Sequence, residues 1–169
     1  MHSVTLKHNF ETAHRLPHLG GKCVNLHGHS WHTEITIAAS RLTDRHTVVE
    51  FGDFKAVMRN WIDVYLDHGV MLGHRDPLLP AFTTARCKVY TFGVDWDGAD
   101  WPTVEAVAAL LADQAGRWLA LIDDMPADAH IAHVTVQETA TNAADWYPPA
   151  PGREPMQGRL PRMAVKDVA

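Results

Sequence analysis

Three histidines in the first thirty residues have the spacing of a metal site: His14, in Ala13-His14-Arg15, and the pair His27 and His29, in Leu26-His27-Gly28-His29. Residues two apart on a strand point to the same side, so His27 and His29 can share one ion. His14 joins them if its strand pairs with theirs across a loop over residues 15–26. Neutral imidazole is a favoured zinc ligand, and three protein ligands leave a position for water or substrate, which marks a catalytic rather than a structural zinc. A lone His-x-His is more often two ordinary side chains, so the neighbouring residues have to decide.

Cys23 stands four residues before His27, beside Lys22. A thiol near a metal and a lysine can have a lowered pKa and act as base or nucleophile. The spacing is equally open to a buried structural cysteine or to a fourth zinc ligand that closes the site. Asp67-His68 follows a helical stretch. An aspartate can fix a histidine tautomer for proton relay or thiol activation, but adjacent helical residues point apart, and a histidine at a helix C-terminus also balances the helix dipole. Glu138, at the end of an apolar strand, is either an exposed strand-end acid or an acceptor for two parallel hydrogen bonds from an amidine-like edge.

The elements that must hold these groups are readable from periodicity. Residues 3–12 alternate, with Val4, Leu6 and Phe10 on one side, and predict a strand. After a Gly- and Pro-containing loop, a second strand over 26–39 places Trp31, Thr33, Ile35 and Ile37 on one face. His32, Glu34 and Thr36 lie on the other, as in a half-buried antiparallel sheet. Helical spacing then takes over with Phe54, Val57, Met58, Trp61 and Tyr65, Asp53 being the expected N-cap. A second helix opens at Pro102-Thr103 and carries Val104, Val107, Ala108, Leu111, Ala115, Trp118, Leu119 and Ile122. A short strand is expected over 86–92 and a longer one over 132–139. Residues 148–169 form a Pro-rich extension without periodicity.

At 169 residues and 46% hydrophobic, the chain suits one domain with a substantial core. A formal net charge of −5 gives no support to nucleic-acid binding. No apolar run is long enough to span a bilayer, and the first residues lack the pattern of a secretory signal. A cytoplasmic location is therefore expected. Two cysteines, Cys23 and Cys87, make no disulfide framework and are expected as thiols.

Taken in order, the motifs resemble one family. Phe10-Glu-Thr-Ala-His14 and Cys23-Val-Asn-Leu-His27-Gly-His29 are followed by Phe51-Gly-Asp53-Phe-Lys55, Leu66-Asp67-His68, Pro102-Thr103-Val-Glu105 and Val136-Gln-Glu138-Thr139. This series is similar to the 6-pyruvoyltetrahydropterin and 6-carboxytetrahydropterin synthases, over residues 4 to 147. The resemblance implies an α+β tunnelling fold (T-fold) over residues 1–147, an antiparallel four-stranded sheet with two helices packed on one face. It implies a homo-oligomer, trimer or hexamer, with active sites between subunits. It implies Zn2+ on His14, His27 and His29, a catalytic thiol at Cys23 with Asp67 and His68 as its relay, and a pterin bound by Glu138, Thr103 and Glu105. The implied reaction takes 7,8-dihydroneopterin triphosphate to 6-carboxy-5,6,7,8-tetrahydropterin, acetaldehyde and triphosphate, on the route to 7-deazaguanines and queuosine. The compact Lys22-to-His29 block favours this product over 6-pyruvoyltetrahydropterin; a non-catalytic pterin-binding homologue is the other alternative. Gly73 and Ala106 depart from the family's frequent asparagines, and the segment 73–101 is longer than in its shortest members.

Overall fold

The computed structural model describes residues 1–149, so most of the Pro-rich extension lies outside the described residues. The first two strands, β1 (His2–His14) and β2 (His27–Ala39), pair antiparallel along their full length, with His14 opposite His27. Strand β1 runs slightly longer than the expected 3–12, and β2 matches the expected 26–39 to within one residue. Strand β5 (His130–Gln137) pairs with β2, and β6 (Ala143–Trp146) with β5, again antiparallel.

The expected four-stranded antiparallel sheet needs correction here. The sheet has six strands in the order β4-β3-β1-β2-β5-β6 and is mixed. Strands β3 (Gly69–Gly73) and β4 (Val89–Phe92) extend it beyond β1, and both of their pairings, β1 with β3 and β3 with β4, are parallel. The missed strand β3 is Gly-Val-Met-Leu-Gly, with Val70, Met71 and Leu72 all buried. A run so short and apolar has no alternation to betray it, because both of its faces are covered.

Two long helices, α1 (Phe51–Tyr65) and α3 (Val104–Leu119), are joined by a short α2 (Leu79–Thr84) within the long 73–101 segment. Helix α1 is capped by Glu50, not by the expected Asp53. The Glu50 carboxylate accepts hydrogen bonds from the Gly52 amide (2.6 Å) and the Asp53 amide (3.2 Å). Asp53 sits in the first turn, where a negative charge still suits the helix dipole. Phe54, Met58 and Ile62 are the buried stripe of α1; Tyr65 is exposed. Helix α3 buries Val107, Ala108, Leu111, Ala115, Trp118 and Leu119.

Leu6 and Phe10 of β1, Trp31, Ile35 and Ile37 of β2, and Val134 and Val136 of β5 meet these helices in one core. Trp118 of α3 packs edge-on against Phe54 of α1, with ring centroids 6.0 Å apart. The opposite face of the sheet is polar: Thr5 pairs with Thr36 at 2.8 Å, and His133 with Asp145 at 2.8 Å. Among the described residues no helix is long and apolar enough to cross a membrane.

Candidate active site

The pairing of β1 with β2 builds the histidine group directly. His14 stands across from His27, and His29 lies opposite Thr12, so all three rings fall on the core side at one end of the two strands. Their ring centroids are 4.6, 4.9 and 5.3 Å apart, and one nitrogen of each lies within 4.8 Å of the others. Trp31, next along β2, closes the floor edge-on to His14 at 5.0 Å, its indole donating to the Thr12 carbonyl.

Main-chain carbonyls set the tautomers. Nδ1 of His14 donates to the Pro102 carbonyl at 2.8 Å, and Nδ1 of His27 to the Asn25 carbonyl at 2.8 Å. A carbonyl can only accept, so each Nδ1 carries the proton and each Nε2 keeps its lone pair. Nε2 of His14 and of His29 is buried without a hydrogen-bond partner. Orphaned buried polar atoms are costly unless something binds them, and a cation taken by three imidazoles fits this need. Burial pushes the His14 pKa down to about 4, a shift that its Pro102 bond opposes and the charges of His27 and His29 reinforce. Burial likewise lowers that of His29. Both rings are therefore neutral, as ligation requires, at physiological pH.

Glu138 joins this group. It follows β5 immediately, where its amide donates to the Asn142 carbonyl across the β5–β6 hairpin. Its Oε1 lies 3.3 Å from Nε2 of His14 and 4.0 Å from that of His29. Beside it opens a cleft of about 690 Å³, bordered by His29, Ser30, His32, Gln137 and Glu138, a size that suits a small heterocyclic ligand.

Asp67 and His68 form a second unit. Leu66 caps α1, and His68 then takes a left-handed conformation with φ of 54°. That turn breaks the helical geometry which would have pointed the neighbours apart, and Nδ1 of His68 lies 2.6 Å from Oδ2 of Asp67. Strand β1 clamps the pair: the Glu11 amide donates to Oδ1 of Asp67 (2.8 Å), and the His68 amide donates to the Glu11 carbonyl (2.6 Å). Burial alone would raise the Asp67 pKa, but the Glu11 amide, His68 and Lys88 together hold it below the usual carboxylate range. The His68 ring is 79% exposed, so its far edge is open to an approaching group.

Cys23 lies half-buried in a single 3-10 turn, Gly21–Val24, whose position is fixed by the Leu16 amide donating to the Cys23 carbonyl. Its sulfur is outside the histidine group. Among the described residues no hydrogen bond joins Cys23 to Asp67 or His68. Thr103 is the N-cap of α3, its hydroxyl accepting from the Ala106 amide at 3.2 Å, and Glu105 is exposed in the first turn. The Pro102 and Asn25 carbonyls have no side-chain signature, and sequence reasoning could not have found them.

Residues 3–149 match the family model described as 6-pyruvoyl tetrahydropterin synthase. The 6-carboxy-5,6,7,8-tetrahydropterin synthase of a Synechocystis species is 31% identical over 141 residues, covering 83% of this chain and 89% of that protein. The protein of the same name from Aquifex aeolicus is 29% identical over 128 residues, 74% of this chain and 75% of its own. Among solved structures, 6-pyruvoyl tetrahydropterin synthase from Caenorhabditis elegans superposes with a TM-score of 0.58 at 19% identity, covering 88% of this chain and 98% of that one. That last likeness speaks to the fold alone. The family match runs from the start of β1 to the last described residue and takes in the histidines, Cys23, the Asp67–His68 pair and Glu138, so this chain belongs to the 6-pyruvoyl tetrahydropterin synthase family.

Proposed function

We propose that this chain is a zinc-dependent carbon-carbon lyase that converts 7,8-dihydroneopterin triphosphate to 6-carboxy-5,6,7,8-tetrahydropterin, releasing acetaldehyde and triphosphate. The observation that carries the reading is the group His14, His27 and His29, with two Nδ1 atoms committed to carbonyls and two Nε2 atoms buried without partners. The names of the relatives point to the carboxy product. Zinc held by these three imidazoles would act as a Lewis acid toward the hydroxyls of the substrate side chain, lowering their pKa.

The rest of the chemistry falls to the chain itself. Glu138 accepts the N3–H and 2-amino hydrogens of the pterin ring in parallel, fixing its orientation in the cleft. We assign Thr103 and Glu105, at the start of α3, to pterin binding on the family resemblance. Cys23 moves protons on the side chain, and His68, its tautomer held by Asp67, passes them on. The family resemblance points to a homo-oligomer, trimer or hexamer, whose subunits complete one another's sites; among the described residues of one chain, Cys23 makes no hydrogen bond to that pair. We assign the protein to the cytoplasm.

Identification of products by mass, with purified and metal-analysed protein and 7,8-dihydroneopterin triphosphate, tests the reading. The expected products are the 6-carboxy pterin and acetaldehyde. A 6-pyruvoyl product would move the assignment to the other branch, and no pterin product at all would leave a binding protein. Cys23→Ala is expected to lose turnover and keep its zinc; loss of zinc instead would make Cys23 a ligand.

A further inference from the structure

The first metal-binding histidine is oriented by a main-chain atom, and a main-chain acceptor cannot be deleted by substitution. Its place depends on whatever holds its segment. The Pro102 carbonyl that binds Nδ1 of His14 is preceded by Asp100 and Trp101, and this stretch rests on Gly73, the buried last residue of β3. A Cβ at Gly73 would stand 2.5 Å from the Asp100 carbonyl oxygen and 2.5 Å from Cε3 of Trp101. The oxygen belongs to the backbone and cannot rotate away, so any side chain at position 73 must push the stretch outward. Arg75 tethers it as well, with Nη2 donating to the Asp100 carboxylate at 2.5 Å.

Trp101 also faces the other half of the site. Its ring stacks on His18 with centroids 4.9 Å apart and planes 19° from parallel. His18 belongs to the loop that returns to Cys23, closed by the Leu16 amide on the Cys23 carbonyl. One indole thus touches the loop of the thiol, while the next residue along the chain holds the ring of His14.

We infer that Trp101, seated on Gly73, is a positioning residue that sets His14 through the Pro102 carbonyl and the Cys23 loop through His18. This rests on the metal-dependent reading above and adds to it a residue outside the reacting groups. It also accounts for glycine at position 73. Loss of an outer partner of a metal-binding histidine typically lowers metal affinity about 10–100-fold.

The test uses a Cys87→Ser background, because Cys87 is exposed and would otherwise obscure the other thiol. Zinc affinity by chelator competition and the alkylation rate of Cys23 are measured for the parent, Gly73→Ala, Trp101→Leu and Trp101→Phe, with circular dichroism as the check on folding. Gly73→Ala is expected to bind zinc about 10–100-fold more weakly. Trp101→Leu should also weaken zinc and alkylate faster at Cys23, whereas Trp101→Phe, which keeps an aromatic face for His18, should stay close to the parent. If Gly73→Ala does not fold, Trp101→Leu decides. Folded variants with the parent's zinc affinity and alkylation rate overturn the inference while leaving the metal reading intact. A parent that binds no zinc overturns the metal reading itself.

Discussion

Oε1 of Glu138 stands 3.3 Å from Nε2 of His14, so a carboxylate and an imidazole lone pair face each other in the site. Both are acceptors when His14 is neutral. The arrangement is favourable only when a cation or a donor-bearing ligand edge lies between or beside them. Glu138 is therefore positioned where a ligand ring in the cleft would meet the three-histidine group.

Glu138→Gln separates anchoring from ligation. The amide keeps the shape but offers one acceptor and a donor where a pterin edge needs two acceptors. Hydrogen bonds to a charged group contribute about 1.5–3 kcal/mol, so KM is expected to rise about 10–100-fold with the zinc content unchanged. Steady-state kinetics beside metal analysis checks this. Zinc loss in the variant would instead make Glu138 a ligand.

The Asp67–His68 contact makes a different demand. With Asp67 held ionised by the Glu11 amide and His68, its carboxylate fixes the proton of His68 on Nδ1. Asp67→Asn keeps the shape and lets the ring adopt the other tautomer. If His68 relays protons, kcat should fall by roughly 100-fold, the lower end of general acid–base effects, with KM and zinc content close to wild type. Unchanged kcat would leave the pair a tie between the end of α1 and β1 and nothing more.

How far these features could be read from sequence follows from the atoms that make them. The His14, His27 and His29 set was legible because strand pairing turns a spacing into a face. The alternation of Trp31, Ile35 and Ile37 gave the buried side of β2 for the same reason. Strand β3 was not legible, since Val70, Met71 and Leu72 are covered on both faces and show no alternation. Glu50 took the cap from Asp53 because the chain becomes helical at Phe51, and the acid just before that point reaches the free amides first. The Asp67–His68 bond depends on a left-handed backbone at His68 that residue type alone does not announce.

Thr103 has a structural duty that any binding role must be measured against. Its hydroxyl caps α3 through the Ala106 amide, and loss of such a cap costs about 1 kcal/mol. Thr103→Ala is expected to lower Tm by roughly 2–4 °C, with Thr103→Ser close to wild type. KM in the same variants, measured well below Tm, reports the pocket role separately. A rise in KM for Thr103→Ala that Thr103→Ser reverses would assign the hydroxyl to substrate, and an unchanged KM would confine it to the cap.

Acid should act on the metal-free protein through His14. Its ring is fully buried, and burial lowers its pKa from 6.5 to about 4. Between these values the unfolded chain binds a proton that the folded chain resists, so stability falls as pH falls. The contribution is complete above about 6.5 and lost progressively toward about 4, amounting to roughly 3 kcal/mol for this one ring. His29, whose pKa is also lowered, acts in the same direction. Urea unfolding of metal-free wild type and His14→Gln at pH 7 and pH 4.5 isolates the effect, because the other titrating groups are common to both. Wild type should lose about 2–3 kcal/mol more than the variant over this interval. Equal losses would mean that the folded protein admits a proton at His14 as readily as the unfolded chain does, and the neutrality that would let this ring serve as a ligand at mildly acidic pH would have no basis in its burial.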